Sequence, residues 1–586
     1  DQINERNNDD PNGAFGFNGS ETGLDFADYL IGATDNFTQA TQQILDSRAV
    51  YFGVYGQDSW RVTPRLTLNY GLRYEIMTPW WDTQNKLETL VPGEQSQAFP
   101  GAPTGLVVPG DPGISRTLSP VKYSNIAPRF GIAYAPDFKS GFLGKLLGGE
   151  NKTSIRAGYG IFYSSIQDAT GFVEVGDAPY GLYYSSPVPP LLESPFIDRP
   201  TGYNEGVKFP FQFPPTNVSP KNPDTTFNWV QATPISGADY FYPHNVIPYV
   251  EEFELSLQRQ FGSETVLSAS YVGNAGRHLL TFEESNPADP SLCLQLSNPA
   301  NVGPNSPTCG PYGEDNVYTT ATGQTVNGTR PVFGINFGSN PYMKTVVSSS
   351  FNSLQISLQH TEKYANFLIG YTWEKAIDNG SSAFDATNPY NPALSRALST
   401  FDVPQDLVAS YTVDLPFDHI AGSNGAADRF IAGWQISGIS TFASGQPVQL
   451  TESDDRSLTG TFNDTVDEPS YAGGGQALYQ NRNPRSGQPY FNPNYFVPEP
   501  LGQVGNVMRR FFSGPGILNT DLALLKNFKI TENQQVQFRA EAFNVFNHAQ
   551  FNNPSGEIDN TGTGGFGYVT SARDPRIMQV ALKYLF

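Results

Sequence analysis

The chain has 586 residues, with 35 Lys and Arg against 56 Asp and Glu, a net charge of −21 and two cysteines. Charged residues make up 16 % and aromatic residues 13 %, too aromatic for disorder and too poor in Lys, Glu and Ala for helix bundles. The acidic balance leaves no basic stripe for phosphates, which excludes nucleic acid as a partner, and no stretch is apolar enough for a membrane helix.

The chain opens Asp1-Gln2-Ile3-Asn4, with neither an initiator Met nor the basic and apolar regions of a signal peptide, so a processed chain or a fragment is expected. Residues 1–47 read as a partial strand, over Ala14–Gly19, followed by an extracellular loop. From 48 to 586 the chain reads as one body. Its clearest segment is Arg65–Glu75, where Leu66, Leu68, Tyr70, Leu72 and Tyr74 alternate with Arg65, Thr67, Asn69, Gly71, Arg73 and Glu75. Similar runs cover Val50–Trp60, Arg129–Tyr134, Ile155–Tyr163, Phe253–Leu257, Leu267–Tyr271, Leu354–Leu358, Phe367–Trp373, Leu407–Leu415, Ile431–Phe442, Leu522–Leu524, Val536–Ala542 and Val580–Phe586. Thirteen strands are expected, and Ala14–Gly19 is a candidate for the end of a fourteenth.

The polar faces of these runs carry Arg73, Arg129, Arg156, Glu252, Glu254, Arg539, Glu541 and Lys583, too many ionisable groups for a dry core. A membrane barrel resolves this, with apolar faces toward lipid and polar faces lining a wet or plugged lumen. The connections agree. Short ones (61–64, 136–152, 262–264, 361–365, 416–429, 530–533) alternate without exception with long ones (76–121, 165–246, 280–343, 377–400, 446–516, 548–575), as in outer-membrane barrels with short periplasmic turns. More than half of the chain then lies in extracellular loops. The ending Val580, Leu582, Tyr584, Phe586 looks like the outer-membrane assembly signal, carried by Tyr584 and Phe586, and it puts every short connection on the periplasmic side. Tyr51, Trp60, Tyr74, Trp373 and Tyr584 suit aromatic girdles.

Tyr55-Gly56-Gln57-Asp58-Ser59-Trp60-Arg61-Val62-Thr63-Pro64-Arg65-Leu66-Thr67-Leu68-Asn69-Tyr70-Gly71-Leu72-Arg73-Tyr74-Glu75 resembles the barrel hairpin of TonB-dependent outer-membrane receptors. Ala127-Pro128-Arg129-Phe130-Gly131, Tyr271-Val272-Gly273-Asn274-Ala275-Gly276-Arg277-His278-Leu279, Tyr371-Thr372-Trp373-Glu374-Lys375-Ala376, Gly433-Trp434-Gln435-Ile436-Ser437-Gly438 and Phe538-Arg539-Ala540-Glu541-Ala542-Phe543-Asn544-Val545-Phe546-Asn547-His548 are similar to the Oar-like branch. That branch carries an amino-terminal carboxypeptidase-regulatory-like domain, a plug and then the barrel. The resemblance runs from about residue 14 to the end of the chain. It implies the carboxy-terminal portion, 13 to 14 strands, of a 22-stranded barrel whose plug, first strands and energy-coupling box are not recognisable in this sequence. An independent 14-stranded pore is the rival, and it requires the first and last strands to pair, since open edges in lipid cost several kcal/mol per unsatisfied group.

Cys293 and Cys309 share the loop 280–343, so a disulfide worth about 3 kcal/mol is expected over two free thiols or a metal pair. Gly562-Thr563-Gly564-Gly565-Phe566-Gly567 matches a dinucleotide fingerprint by letter but lacks the strand before and helix after that hold pyrophosphate, and reads as a loop. His244, His278, His360, His419 and His548 have no ligand spacing. Glu452-Ser453-Asp454-Asp455 and Asp464-Thr465-Val466-Asp467-Glu468 supply hard oxygens for Ca²⁺ without its loop spacing, so solvated acidic loops are expected. Tyr180, Tyr183, Tyr184, Phe241, Tyr242, Tyr471, Tyr479, Tyr490 and Tyr495 sit among Asn, Pro and Gly in long loops. Loop packing is the favoured role, and Tyr183, Tyr184, Tyr242, Tyr479 and Tyr490 are the candidates for ligand contact.

No catalytic constellation is visible, so no bond chemistry and no cofactor is expected. The resemblance implies energised ligand uptake across the outer membrane. The partners implied are membrane lipid, the TonB energy complex acting through a plug, the barrel-assembly machinery and an extracellular ligand of open class. A passive pore and a surface adhesion or structural role are the rivals from other classes.

Overall fold

The structure is a computed structural model that describes residues 2–7, 10–117, 119–166, 177–186, 188–200, 202–237, 239–383, 385, 388, 390–417, 431–461, 476–479, 482–531 and 534–586. Thirteen strands form one continuous antiparallel path: β1 (Tyr51–Thr63), β2 (Leu66–Met77), β3 (Asn125–Tyr134), β4 (Thr153–Tyr163), β5 (Tyr249–Phe261), β6 (Thr265–Glu284), β7 (Pro341–Thr361), β8 (Ala365–Asp378), β9 (Gln405–Asp414), β10 (Trp434–Ala443), β11 (Ile517–Lys529), β12 (Gln535–Phe543) and β13 (Ile577–Leu585). Each strand pairs with its sequence neighbour. Two short strands are added at the upper rim, Tyr240–Phe241 on β7 and Ala397–Leu398 on β8. Among the described residues no ladder joins β1 to β13. Among the described residues no helix is long and apolar enough to cross a membrane.

The registers explain why these residues make this sheet. Directly opposed residues share a face, and from β2 to β5 the pairs Leu72–Pro128, Tyr70–Phe130, Phe130–Tyr159, Ile155–Leu257 and Tyr159–Phe253 all fall on one side. The same row continues through Leu267–Leu358, Leu354–Trp373, Tyr371–Leu407, Leu407–Phe442, Ile436–Leu524 and Phe538–Leu582. The opposite face carries Arg129–Gly71, Gly158–Glu254, Asn274–Glu252, Ser270–Gln355, Thr372–Asp406 and Ala523–Glu541. A one-residue slip would exchange the two faces, so the alternation itself fixes the register.

The apolar row is not covered by protein. Leu72, Phe130, Leu255, Trp373, Val580 and Leu582 are exposed, as they must be where the solvent is hydrocarbon. On the other face polar groups satisfy one another. Arg73 pairs with Glu75 and Tyr51, Arg539 Nη2 lies 2.6 Å from Glu541 Oε1, and Gln435 donates to Asp414 at 2.7 Å. Charged residues also occur on the lipid-side row: Asp58 accepts from the Tyr70 hydroxyl at 3.0 Å, and Lys526 is a second case. It sits at the end of β11 toward the short turns, where its ammonium donates to the Ala432 carbonyl and lies 4.8 Å from the Phe528 ring.

The short connections turn tightly. Gly262 takes φ +65° between β5 and β6, a left-handed backbone that glycine adopts without a Cβ clash. Pro64 and Arg65 join β1 to β2, and Arg65 Nη2 reaches Asp137 at 2.6 Å in the next turn.

Three expectations need correction. Ala14–Gly16 is not a barrel strand: it pairs with Asn36–Ala40, which pairs with Tyr183–Ser185, in a separate small sheet. The strand expected over Ile431–Phe442 begins at Trp434, after Gly433 in a left-handed conformation. β6 and β7 run far past the expected Leu267–Tyr271 and Leu354–Leu358, to 20 and 21 residues. A membrane crossing takes about 9–11 residues, so this hairpin stands well above the bilayer. The pairing shifts between Gly276 and Leu280, around His278 at φ +56°, and then resumes up to Glu284–Pro341.

The dry core of the molecule lies outside the sheet. One cluster gathers Leu90, Phe99, Leu106, Trp229, Tyr240 and Phe337 from the three loops 78–124, 164–248 and 285–340. A second joins Leu450, Phe491, Phe496 and Phe512 from loop 444–516 with Ile558 and Phe566 from loop 544–576. Each fully buried ring contributes about 1.5–3 kcal/mol, enough to hold long loops as an ordered layer.

Candidate ligand-binding surface in the loop layer

Five contact candidates are distributed over separate parts of this layer. Tyr183 and Tyr184 stand on the small sheet opposite Ala40 and Gln39. Tyr183 is half exposed, whereas Tyr184 is buried against Phe196 at 5.2 Å and Phe37 at 6.4 Å. Burial, with Glu205 and Asp198 nearby, pushes the Tyr184 hydroxyl up to about 12. Tyr242 packs on Tyr342 at 5.4 Å and carries the Lys344 ammonium 4.9 Å from its ring. Tyr490 is buried beside Arg482 in the second cluster's loop, and Tyr479 is partly exposed. Phe241, Tyr180 and Tyr495 pack in the loop cores. Tyr471 lies outside the described residues.

Cys293 and Cys309 form a disulfide, with Cα atoms 5.4 Å apart. The helical turn Pro290–Leu296 that carries Cys293 is capped by Asp289, which accepts from the backbone N–H groups of Ser291 and Leu292. The bridge forms a small core with Leu296, Val302, Tyr318 and Leu458. Leu458 belongs to loop 444–516, so the bridge also fixes where two loops meet.

The acidic segment 452–455 is folded into that junction. Asp455 accepts from Ser457, Thr459 and Gly460, all at 3.1–3.2 Å, and Tyr312 donates to the Ser453 carbonyl at 2.6 Å. Glu314 is buried facing Asp455. Burial, and then the hydrogen bond to Asp455, raise its carboxyl above the usual range. Among the described residues no group of three or more His, Cys, Asp or Glu is placed to hold a metal ion. The cluster 464–468 lies outside the described residues.

A second junction is ionic. Arg510 is fully buried, donating to the Leu398 carbonyl at 2.7 Å, Ser381 at 2.9 Å, Asp385 at 2.8 Å and Gln449 at 3.0 Å. Arg509 pairs with the same Asp385 at 2.6 Å. Burial alone would raise the Asp385 carboxyl, but the two guanidinium groups outweigh it and hold the carboxyl below the ordinary range.

Histidines take scattered roles. His278 makes the bulge, His360 Nδ1 lies 2.8 Å from Thr265 Oγ1, His548 accepts a place in the Asn544 turn, and His244 packs 5.4 Å from Tyr242. His419 lies outside the described residues. Gly562, Gly564 and Gly567 have positive φ and form turns that insert Phe566 into the second cluster, with no helix following. At the last strand, Tyr584 is half exposed and stacks on Phe586 at 5.8 Å.

The layer holds a cleft of about 950 Å³ beside the first cluster. Phe196, Phe209, Phe211 and Phe213 line it, together with the amide side chains of Gln42 and Asn85. The clue in the sequence was the run Phe209-Pro210-Phe211-Gln212-Phe213-Pro214-Pro215, which concentrates three rings among three prolines.

The family model for an outer membrane beta barrel domain matches residues 1–579. No curated protein sequence matches the chain. Among solved structures, the outer membrane transporter YddB from Escherichia coli aligns with TM-score 0.40 and 10% identity, covering 94% of this chain and 54% of that one. The siderophore receptor PirA from Acinetobacter baumannii aligns with TM-score 0.37 and 8% identity, covering 95% and 60%. The ferripyoverdine receptor of Pseudomonas aeruginosa gives 0.36 and 11%, covering 93% and 40%. The chain spans about half the length of the solved structures it matches.

Proposed function

The chain belongs to the outer membrane beta barrel domain family and resides in the bacterial outer membrane, and from that premise we propose that it is the barrel part of an Oar-like, TonB-dependent transporter that takes up an extracellular ligand. The observation that carries this reading is the pairing of a sheet with an ionisable lumen face and a folded, aromatic loop layer above it. A pore needs only the first. The second provides surface for capture, and the hairpin and loop motifs supply the likeness to the receptor branch.

In this scheme the loops bind the ligand and the lumen face, with Arg129, Glu252, Glu254 and Glu541, provides a hydrated path past a plug moved by the TonB energy complex. The barrel-assembly machinery reads the terminal strand with Tyr584 and Phe586. No bond chemistry is assigned to the chain. Among the described residues no ladder joins β1 to β13, which fits a role as part of a larger barrel, because unsatisfied strand edges are not tolerated in hydrocarbon.

The test compares solute accumulation by cells with and without the gene, with and without an uncoupler. Accumulation that needs both the gene and the proton gradient supports the reading. Steady conductance of the purified protein in planar bilayers, with gene-dependent entry that survives the uncoupler, identifies a passive pore. Cell-surface binding with no accumulation of any solute identifies an adhesin.

A further inference from the structure

We propose that the cleft lined by the rings of Phe196, Phe209, Phe211 and Phe213 and by the amides of Gln42 and Asn85 binds an uncharged oligosaccharide. This deepens the uptake reading and rests on it for its biological use, although binding itself does not depend on transport. Size is the first argument. About 950 Å³ lies in the range of small-ligand sites, and the cleft is open enough for a chain of rings rather than one enclosed molecule.

Charge is the second. In a chain of net charge −21, no carboxylate is among the described residues that line this cleft, and Lys86 is the one charged side chain among them. A polyanionic chelate would bring several charges to one ammonium, and a cation would find no counter-charge, each at a desolvation cost. A neutral ligand meets neither penalty.

Surface chemistry is the third. Phe211 stacks edge-on against Phe213 at 5.2 Å and against Phe227 at 6.0 Å, and Phe227 packs on Trp229 at 4.7 Å, so the wall is anchored in the first loop core. Phe213 remains exposed at its rim. Ring faces are electron-rich and accept the C–H faces of pyranoses, while amide side chains offer a donor and an acceptor apiece to hydroxyl groups. Asn85, held at φ +58°, presents its amide from a turn. Pro210, Pro214 and Pro215 remove backbone N–H donors from this wall, which disfavours a peptide that would dock by adding a strand.

The test uses the whole receptor that carries this chain, purified from its native gene into lipid nanodiscs, with no energy source, titrated calorimetrically with cello-, xylo- and malto-hexaose, a proline-rich decapeptide and a ferric tricatecholate. Binding of at least one hexaose is expected at millimolar concentration or below. Phe213→Ala, a change at an exposed ring, should weaken it by about tenfold, the effect of losing one stacking contact. Lys86→Gln should leave it within about twofold, and heat-modifiable gel migration checks that both variants fold. Absence of hexaose binding overturns the proposal. So does Phe213-dependent binding of the peptide, or binding of the tricatecholate that Lys86→Gln removes. Energised uptake of some other solute alongside silent hexaoses overturns the ligand class and leaves the transporter reading intact. Hexaose binding without accumulation does the reverse.

Discussion

Arg510→Met is the most informative single change in the loop layer. The guanidinium is 1 % exposed and holds loops 379–404 and 444–516 together through Leu398, Ser381, Asp385 and Gln449. Methionine fills a similar volume but offers no donors. It leaves Asp378 and Asp385 in a dry site with Arg509 as the remaining guanidinium, and breaking a buried charge pair in this way costs about 3–5 kcal/mol. The amides that report it are Leu398, bonded to the Arg510 carbonyl at 3.1 Å, Leu450, bonded to the Arg509 carbonyl at 2.9 Å, and Val448, bonded to Phe512 at 3.0 Å. At about 1.4 kcal/mol per decade, their hydrogen exchange in nanodiscs should accelerate roughly two to three and a half orders of magnitude. Amides of β9 and β10 should not change. Arg510→Lys keeps the charge but loses the fork and should fall between. An acceleration of no more than about twofold in Arg510→Met would refute the claim that this buried network fixes the loops, since about 0.5 kcal/mol is within the scatter of a surface substitution.

Acidification should loosen the same junction. The Asp385 carboxyl is depressed in the folded state, so its contribution is present above the ordinary carboxylate range and is lost as pH falls through the folded value, which exchange at Leu398 would record below about pH 4. Glu314 has the opposite sign. Its raised carboxyl stabilises fully below its ordinary value of 4.5 and loses that contribution as pH rises toward the folded value, so exchange at Thr459 and Gly460 should increase in alkali, and Glu314→Gln should flatten the profile. Cys293→Ser should cost about 3 kcal/mol locally, seen as faster proteolysis within 285–340 with unchanged membrane insertion. Leu72→Arg, on the lipid row, should cost about 2–4 kcal/mol in refolding titrations if it lies near the midplane, whereas Asn69→Arg on the opposite face should be tolerated. Equal costs would contradict the assignment of faces.

The membrane part of the fold was legible because each residue there answers to one of two solvents. Leu66–Tyr74 and Val580–Phe586 alternate cleanly for that reason, and their pairing with β3 and β12 follows. Above the bilayer that constraint ends. Leu280, Phe282 and Met343 are packed by loop residues such as Leu45 and Leu87, so alternation fades although the β6 and β7 ladder continues. Ala14–Gly16 misled for a related reason, being a short extended piece paired within the loop layer. The disulfide was legible from two cysteines in one loop. The Arg510 network was not, since its partners come from segments more than 60 residues away along the chain, at Gln449 and earlier. The cleft had a local sign in its Phe-Pro run, but its neutrality appears only once the walls are assembled.

The hairpin of β6 and β7 has a consequence of height. Beyond the irregularity at His278, the ladder from Leu279 to Glu284 adds about 20 Å at 3.3 Å per residue, a stiff post at whose top sits the cystine-bridged module. That module stands clear of the stretch of β6 and β7 needed to cross a bilayer, so a bulky solute approaching from outside meets it before it meets the rim of the sheet.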